Sequence, residues 1–343
     1  MKLEHQYSTF AIDTLPCRMC HASAVLPVTD DRLLCAFFGG SYEGESDVGI
    51  YLCILDKGVH IKHSFIKVSN EAHWNPVLFC VSEDRLALFF KVGNIIAQWS
   101  TFVCYSSDGG DNWSEPVPLI DGDKGGRGPV RNPPLRLKSG RILCPASSEQ
   151  GEWHSFVDIS DDNLMNLEKS ADIYADHELI ASRNRDLEKK IAVSEQSYGG
   201  QGIIQPALWE DSSGVHMLLR STFGRILRSD SLDEGQNWCK PYAVNMPNNN
   251  SGIATSYYKD TLFLACNPVA DNWGARTPMT LFTSENGIDF KEAVVLETQK
   301  AEFSYPCLYV LNNSLYISYT SKRTNIRIHK YNFVSGRHWR RPP

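Results

Sequence analysis

One short pattern recurs six times along this chain and constrains its fold more than any other feature. Each copy contains a strand-like phrase, a polar turn and a second apolar strand, as in residues 304–319. The copies begin near residues 20, 73, 131, 204, 250 and 304, roughly 45 to 75 residues apart. That spacing is typical of four-stranded propeller blades joined by loops of variable length. The sequence therefore predicts an all-β fold, a single six-bladed β-propeller domain spanning residues 1–343.

One polar segment interrupts the repeats. It contains few alternating apolar positions and includes a strongly charged run at 183–190. A segment without the period-2 pattern of a strand does not fit the strands of a blade. We therefore expect an insertion in the third blade at about 163–202.

Two segments carry a sharper signature, Ser-x-Asp-x-Gly-x-x-Trp, at 106–113 and 231–238, and a decayed copy occupies 283–290. In such a turn the Asp carboxylate accepts hydrogen bonds from nearby amides, and the Gly adopts a positive φ. The Trp packs under the neighbouring strand. We interpret these aspartate boxes as fasteners of β-hairpins, away from any chemistry.

Composition excludes several classes of function. The net charge of −6 and the absence of a long basic tract argue against nucleic acid as a partner. No apolar run is long enough for a membrane span, and the N-terminus lacks the apolar core of a secretory signal, so we expect a cytoplasmic protein. Cys17 and Cys20 form a lone CxxC without a second pair, so we expect no metal and no cofactor. The oligomeric state stays open.

Polar residues occupy the position where each predicted inner strand begins. In a propeller these strands line the central channel, so their first residues converge on one space at its mouth. Lys91 and Arg220 lie at the ends of second strands, which face the same space. Cationic groups beside amides and a phenol favour an anionic, hydroxylated ligand, and we predict an acidic carbohydrate. The six first residues are His21, Asn75, Asn132, Gln205, Ser251 and Tyr305.

Repeats combined with aspartate boxes resemble the sialidase (neuraminidase) superfamily of six-bladed propellers, over nearly the whole chain. The phrases around His21, Asn75, Arg276 and Tyr305 are similar to a branch described as predicted neuraminidases or BNR-repeat proteins. Sialidases bind the substrate carboxylate with three arginines. They attack with a tyrosine that a glutamate assists, and they use an aspartate as acid/base. The resemblance implies the same fold and a glycoside hydrolase activity.

The resemblance also assigns roles to individual residues. It implies that Tyr305 is the nucleophile and that Arg220 and Arg276 bind the carboxylate, with Lys91 or Arg131 as further cations. Asp47 matches the acid/base, and Glu43 in the same loop is the second candidate for that role.

Two departures separate this chain from the family pattern. The first arginine is replaced by His21, and the glutamate is replaced by Gln205. A free tyrosine has a pKa of about 10 and needs a base to take its proton. Gln205 cannot accept that proton, whereas an imidazole can, so we expect His21 to approach Tyr305 and act as its base.

Three functions remain open on sequence grounds. The first is a hydrolase that removes a terminal sialic acid, related ulosonic acid or uronic acid. The second is a lyase that cleaves a uronate-containing oligosaccharide by β-elimination, with His21 and Tyr305 as base and acid. The third is an acidic-sugar-binding propeller without catalysis, which the presence of Gln205 favours.

Overall fold

The computed structural model describes residues 2–161, 163–164, 166–176 and 200–334. Within these ranges the chain forms six antiparallel sheets of four strands each, which confirms the predicted six-bladed propeller. Most of the insertion predicted at about 163–202 lies outside the described residues. No helix in the described ranges is long and apolar enough to cross a membrane.

Each blade is a meander of four consecutive strands, except for the last. Blade one contains β2 (Met19–Pro27), β3 (Arg32–Gly40), β4 (Gly49–Asp56) and β5 (Val59–Ile66). Blade two contains β6 (His73–Ser82), β7 (Arg85–Val92), β8 (Ser100–Ser106) and β9 (Val117–Pro118), with a short 3-10 helix at Ile96–Gln98. Blade three contains β10 (Leu135–Arg136), β11 (Ile142–Ser148), β12 (His154–Ser160) and β13 (Glu168–Lys169).

Blades four to six follow the same plan. Blade four contains β14 (Ile203–Glu210), β15 (Val215–Ser221), β16 (Arg225–Ser231) and β17 (Tyr242–Pro247). Blade five contains β18 (Ala254–Tyr258), β19 (Thr261–Cys266), β20 (Met279–Ser284) and β21 (Lys291–Glu297). Blade six contains β22 (Phe303–Leu311), β23 (Ser314–Ser321), β24 (Asn325–Val334) and, as its outermost strand, β1 (Lys2–Phe10) from the other end of the chain.

The pairing of the first strand with the last closes the ring. β1 runs antiparallel to β24, and the Ser8 hydroxyl lies 2.7 Å from Nδ1 of His329. On the channel side, the backbone amide of Ala22 donates to Oγ1 of Thr320 at 3.0 Å. Blades one and six are therefore neighbours, which places any residue on β2 beside residues on β22.

Apolar side chains pack between neighbouring blades. In β3, Leu34 and Phe38 share a cluster with residues of β6 and β7, whereas Leu33 and Phe37 share one with residues of β22, β23 and β24. Alternate residues of a strand point to opposite faces of its sheet, so both faces of blade one are covered. This explains why β3 is a continuous apolar run without the alternation of a half-exposed strand.

The aspartate boxes lie between the third and fourth strands of their blades, at the outer side of the ring. In the first box the Ser106 hydroxyl accepts a hydrogen bond from the Gly110 amide at 2.9 Å, and the Trp113 indole donates to the Gly110 carbonyl at 3.1 Å. Gly110 has a φ of 91°, and a Cβ there would lie 2.7 Å from Cδ1 of Leu34 in blade one. The glycine therefore permits close contact between adjacent blades.

A bulge near the start of the inner strand recurs in four blades. At each bulge the pairing with the second strand shifts register, and one non-glycine residue adopts a positive φ. Such a conformation costs on the order of 1–3 kcal/mol and redirects the side chain. The residues with positive φ are Ala22 (55°), Asn75 (42°), Gln205 (55°) and Tyr305 (54°).

The bulges correct the register expected from the sequence. Ala22, rather than His21, is equivalent to Gln205 and Tyr305; His21 pairs with Phe38 and precedes the bulge. A shift of one residue along a strand reverses the face to which a side chain points.

Arg131 and Asn132 of the loop before β10 are buried and hydrogen-bond the carbonyls that the bulges release from strand pairing. Nη2 of Arg131 donates to the Tyr305 carbonyl at 2.5 Å and to the Pro306 carbonyl at 2.7 Å. Nδ2 of Asn132 donates to the Gln205 carbonyl at 3.2 Å and to the Pro206 carbonyl at 3.0 Å. Both side chains hold the backbone of the inner strands, which corrects their predicted role as direct substrate ligands.

We predict that Asn132→Ala lowers the free energy of unfolding by about 2 kcal/mol, because it leaves two buried carbonyls without a donor. Urea denaturation of the purified protein measures this change. The exposed Asn70→Ala is the control, and we expect it to change stability by less than about 0.5 kcal/mol. Equal effects of the two substitutions would show that the bulge carbonyls do not need the amide.

Candidate active site

A cavity of about 210 Å³ opens at the end of the channel where the bulges lie. Its polar lining combines three guanidinium groups with two carboxyl groups, a phenol, an imidazole and two amides. Four indole rings and one isoleucine complete the wall. The lining residues are His21, Glu43, Trp74, Asn75, Ile96, Trp99, Glu149, Trp153, Gln205, Arg220, Trp273, Arg276, Tyr305 and Arg323.

The structure brings seven of the twelve predicted site residues to this cavity and leaves five outside it. The seven are His21, Glu43, Asn75, Gln205, Arg220, Arg276 and Tyr305. The five are Asp47, Lys91, Arg131, Asn132 and Ser251.

Arg220 organises the corner around Tyr305. Its Nη1 donates to the Tyr305 Oη at 2.8 Å and to Oε1 of Gln205 at 3.0 Å. Its Nε donates to Oδ1 of Asn250 at 2.8 Å. The phenol oxygen accepts from the guanidinium, so its own proton remains available for transfer to another group.

Two further guanidinium groups surround the same ring. The Cζ atoms of Arg131, Arg276 and Arg220 lie 5.4, 5.5 and 5.7 Å from the centroid of the Tyr305 ring. Cations at this distance from an aromatic face are attracted to it. The Tyr305 phenol therefore lies in a strongly positive environment.

His21 packs against Tyr305 but does not hydrogen-bond its hydroxyl. The two ring centroids are 4.3 Å apart, and neither imidazole nitrogen has a hydrogen-bond partner among the described residues. Burial lowers the pKa of His21 well below its usual value, and the surrounding arginines lower it further. The imidazole is therefore neutral at physiological pH, and the expected proton relay from Tyr305 to His21 is not formed.

Glu302, immediately before β22, holds two of the cavity arginines. Its carboxylate accepts from Nη1 of Arg276 at 2.8 Å and from Nε of Arg323 at 2.9 Å. Burial acts to raise the pKa of Glu302, but Arg276 and Arg323 outweigh it and the pKa is lowered. Arg323 also forms an ion pair with Glu43 of blade one. The network joins blades six and one at the rim of the cavity.

Asp47, the predicted acid/base, lies outside the cavity. Its side chain is exposed, and its carboxylate accepts from the backbone amide and the hydroxyl of Ser41, both at 2.9 Å. These bonds close the loop that carries Glu43, which does line the cavity. Of the two carboxyls predicted for the acid/base role, the structure therefore places Glu43, and not Asp47, at the cavity.

Lys91 is buried below the cavity and is bonded to a loop. Its Nζ donates to Thr101 Oγ1 at 2.7 Å and to the carbonyls of Gly126, Arg127 and Gly128 at 3.0, 2.9 and 3.3 Å. Burial lowers the pKa of Lys91 to about 7. The residue stabilises the connection between blades two and three, which corrects its predicted contact with substrate.

Ser251 is also buried away from the cavity. Its backbone carbonyl accepts a hydrogen bond from Nδ2 of Asn248 at 3.3 Å. No group of three His, Cys, Asp or Glu residues that could hold a metal occurs in the described part of the chain.

Sequence reasoning missed Glu149, a cavity carboxyl of blade three. It follows directly after β11, two residues beyond Ser147, whose hydroxyl accepts a hydrogen bond from the Gln205 amide at 3.2 Å. Burial raises the pKa of Glu149 from 4.5 to about 7, and the charge of Arg220 only partly opposes this. The signal in the sequence was its position just past the end of a second strand, near the end at which Arg220 lies in the second strand of blade four.

Arg323 is the third guanidinium of the cavity. It lies in the tight turn between β23 and β24, where both Lys322 and Arg323 have positive φ, 55° and 56°. The turn directs the side chain towards blade one, beside His21, where the family's first arginine is absent.

Comparison with known proteins places the chain within an established repeat family. A family model described as a BNR repeat-like domain matches residues 31–317. None of the curated protein sequences matches the chain. A protein of unknown function from Dyadobacter fermentans has a similar structure, with a TM-score of 0.72, 15% identity and coverage of 97% of this chain and 99% of that one.

Sialidases are among the other similar structures. A Trypanosoma rangeli sialidase in complex with the inhibitor DANA has a TM-score of 0.68 and 10% identity, with 97% of this chain and 58% of that one covered. An intramolecular trans-sialidase from Ruminococcus gnavus, in complex with oseltamivir carboxylate, has a TM-score of 0.67 and 13% identity, with 95% and 98% covered. These matches confirm the predicted resemblance at the level of the fold.

We predict a pH-dependent stability effect of Glu149→Gln. A carboxyl whose pKa is raised by folding stabilises the native state fully below the unfolded pKa of 4.5, and this contribution is lost as the pH rises to about 7. Relative to wild type, the variant should gain as much as about 3 kcal/mol between pH 4 and pH 8. Urea denaturation across this pH range measures the difference, and a difference that stays constant would contradict the prediction.

Proposed function

Since the chain belongs to the BNR repeat-like family and has the fold of the sialidases, we propose that it is a glycoside hydrolase that removes a terminal acidic sugar from a glycan. The sugar is a sialic acid, a related ulosonic acid or a uronic acid. The observation that carries the proposal is the hydrogen bond between Arg220 and the Tyr305 hydroxyl, at the centre of a cavity with two more arginines. The proposed nucleophile, Tyr305, and the arginines proposed to bind the substrate carboxylate therefore lie in the same cavity.

The three cavity arginines suit the carboxylate of such a sugar. Arg220 faces Gln205, a neutral partner, whereas Arg276 and Arg323 share Glu302. A substrate carboxylate can bind Arg220 without displacing a carboxylate of the protein. It can also compete with Glu302 for Arg276 and Arg323. Bidentate pairing between guanidinium and carboxylate adds both strength and geometric specificity.

The size and wall of the cavity support action on a chain end. A volume of about 210 Å³ is smaller than a typical ligand pocket and accommodates one sugar unit. Trp74 and Trp99 of blade two form part of the wall, and Trp273 of blade five is 43% exposed. Indole rings provide flat apolar surfaces for the less polar face of a sugar.

In the proposed reaction, Tyr305 attacks the anomeric carbon while the leaving oxygen takes a proton from Glu43. Glu43 is paired with Arg323 in the unliganded cavity. A substrate carboxylate that binds Arg323 competes with this pair and releases the Glu43 carboxyl towards the glycosidic oxygen. In the second half of the reaction, Glu43 accepts a proton from the attacking water.

A β-eliminating lyase is the second candidate, because His21 lies against Tyr305 and is neutral. A neutral imidazole can remove the proton next to a uronate carboxylate, the arginines can neutralise that carboxylate, and Tyr305 can protonate the leaving oxygen. This reaction does not need the glutamate that Gln205 replaces.

Incubation with a panel of oligosaccharides that end in sialic acid, other ulosonic acids or uronic acids tests these functions. Mass spectrometry of the products distinguishes them. A released sugar with the mass of one added water supports the hydrolase and identifies its substrate class. An ultraviolet-absorbing unsaturated product without added water supports the lyase, and tight binding without turnover supports a sugar-binding propeller.

We predict that Tyr305→Phe reduces kcat by about 1,000-fold or more on the substrate so identified, because the nucleophilic oxygen is removed. The matched control is Tyr309→Phe on the same strand, β22, outside the cavity. It should leave kcat within about 2-fold of wild type. Equal activity of Tyr305→Phe and Tyr309→Phe would exclude a covalent role for the Tyr305 oxygen.

A further inference from the structure

We propose that Glu149, on the loop after β11 of blade three, is the group that takes the proton of Tyr305 when the phenol attacks and later returns it. The proposal rests on the proposed hydrolase function. In the sialidase pattern, a glutamate on the inner strand of blade four accepts the proton of the tyrosine. That position is Gln205 in this chain, so the proposal assigns the same role to a residue of blade three.

The backbone holds Glu149 close to the corner that contains Tyr305. β11 ends at Ser148, and the Ser147 hydroxyl accepts a hydrogen bond from the Gln205 amide at 3.2 Å. Gln205 is the bulge residue of blade four, so the end of β11 is fixed to that bulge. The next residue, Glu149, lines the same cavity as Gln205, Arg220 and Tyr305.

Arg220 connects the three groups that the proton transfer requires. It donates to the Tyr305 Oη at 2.8 Å and to Oε1 of Gln205 at 3.0 Å, and its positive charge acts on Glu149. It can therefore stabilise the phenolate character that develops on Tyr305 as well as the anionic form of Glu149. The buried Trp153 also lines this part of the cavity, and an apolar neighbour favours a carboxyl that can hold a proton.

The other acceptors near Tyr305 are less suitable. His21 packs against the phenol ring with the ring centroids 4.3 Å apart, but neither imidazole nitrogen has a hydrogen-bond partner among the described residues. Glu43 and Glu302 already form ion pairs with Arg323. Arg276 and Arg323 lower the pKa of Glu302, which makes it a weaker base. Among the described residues Glu149 forms no ion pair, and burial raises its pKa to about 7, a value suited to proton exchange at neutral pH.

The step is balanced by two proton transfers. As the bond between Tyr305 Oη and the anomeric carbon forms, the phenolic proton passes to the Glu149 carboxylate and the glycosidic C–O bond breaks. The leaving oxygen takes the proton of Glu43. Water then attacks the anomeric carbon, its proton passes to Glu43, and Tyr305 recovers its proton from Glu149 as the bond to Oη breaks.

The test uses the full-length protein and the acidic sugar substrate that the wild type turns over. Glu149→Gln should lower kcat about 100-fold. In the wild type, kcat/KM should rise with pH through about 7, because Glu149 must be ionised to accept the proton; this limb of the profile should disappear in the variant. The matched control is Glu152→Gln, an exposed residue of the same loop, which should retain both the rate and the profile.

A second variant tests whether the loss concerns the carboxylate itself. Gln205→Glu combined with Glu149→Gln returns a carboxylate to the inner strand of blade four, and we expect it to recover at least about 10-fold of the lost kcat. Far-ultraviolet circular dichroism checks that all variants are folded. Recovery by the double variant rules out a general structural defect of the Glu149→Gln protein.

The outcomes separate this proposal from the function on which it rests. Wild-type turnover with an inactive Tyr305→Phe and a fully active Glu149→Gln would overturn the role of Glu149 and leave the hydrolase in place. An unchanged pH profile in Glu149→Gln would overturn it as well. Absence of sugar release by the wild type on every panel substrate would overturn both.

Discussion

The β-bulge near the start of the inner strands is the constraint on which the cavity depends. It directs the side chains of Asn75, Gln205 and Tyr305 towards the channel mouth. All three residues have a positive φ, a backbone conformation that is unfavourable for residues other than glycine. The bulge also releases carbonyls from the ladder, and a buried carbonyl needs a donor. Arg131 supplies the donor for the bulge of blade six, and Asn132 supplies the donor for the bulge of blade four. The geometry of the cavity is thus held by buried residues that do not line it.

Positive charge is the second determinant of this site. Three guanidinium groups lie within 5.7 Å of the Tyr305 ring centroid, and another reaches the rim from the turn before β24. Burial lowers the pKa of His21, and the field of these arginines lowers it further, so the imidazole is neutral. The same field also explains why Glu302 and Glu43 are present, since clustered cations repel one another unless carboxylates lie between them. An acidic substrate of the kind proposed would replace part of that internal compensation.

The repeats allowed the blades and their order to be predicted, because a four-stranded unit leaves the same pattern of apolar runs and turns in each copy. The bulges could not be predicted in the same way. They insert a residue, so His21 appeared to match Tyr305 when Ala22 is the true equivalent. Lys91 was misassigned because the residue type predicts a cation but not whether carbonyls surround it. The pairing of Arg323 with Glu43 depends on the contact between blades six and one, and a local sequence pattern does not predict this contact.

The replacement of a glutamate by Gln205 has a physical meaning that extends beyond the loss of a base. A carboxylate at position 205 would form an ion pair with Arg220, because the amide oxygen already accepts from that guanidinium at 3.0 Å. With an amide there, the residue at position 205 does not neutralise the charge of Arg220, which remains available to the phenol. The proton acceptor can then lie on a separate loop, where burial rather than an ion pair sets its pKa. Under the proposed function, separation of the two roles would let Arg220 bind anions while Glu149 exchanges protons at neutral pH, a division that a single glutamate beside the arginine would not permit.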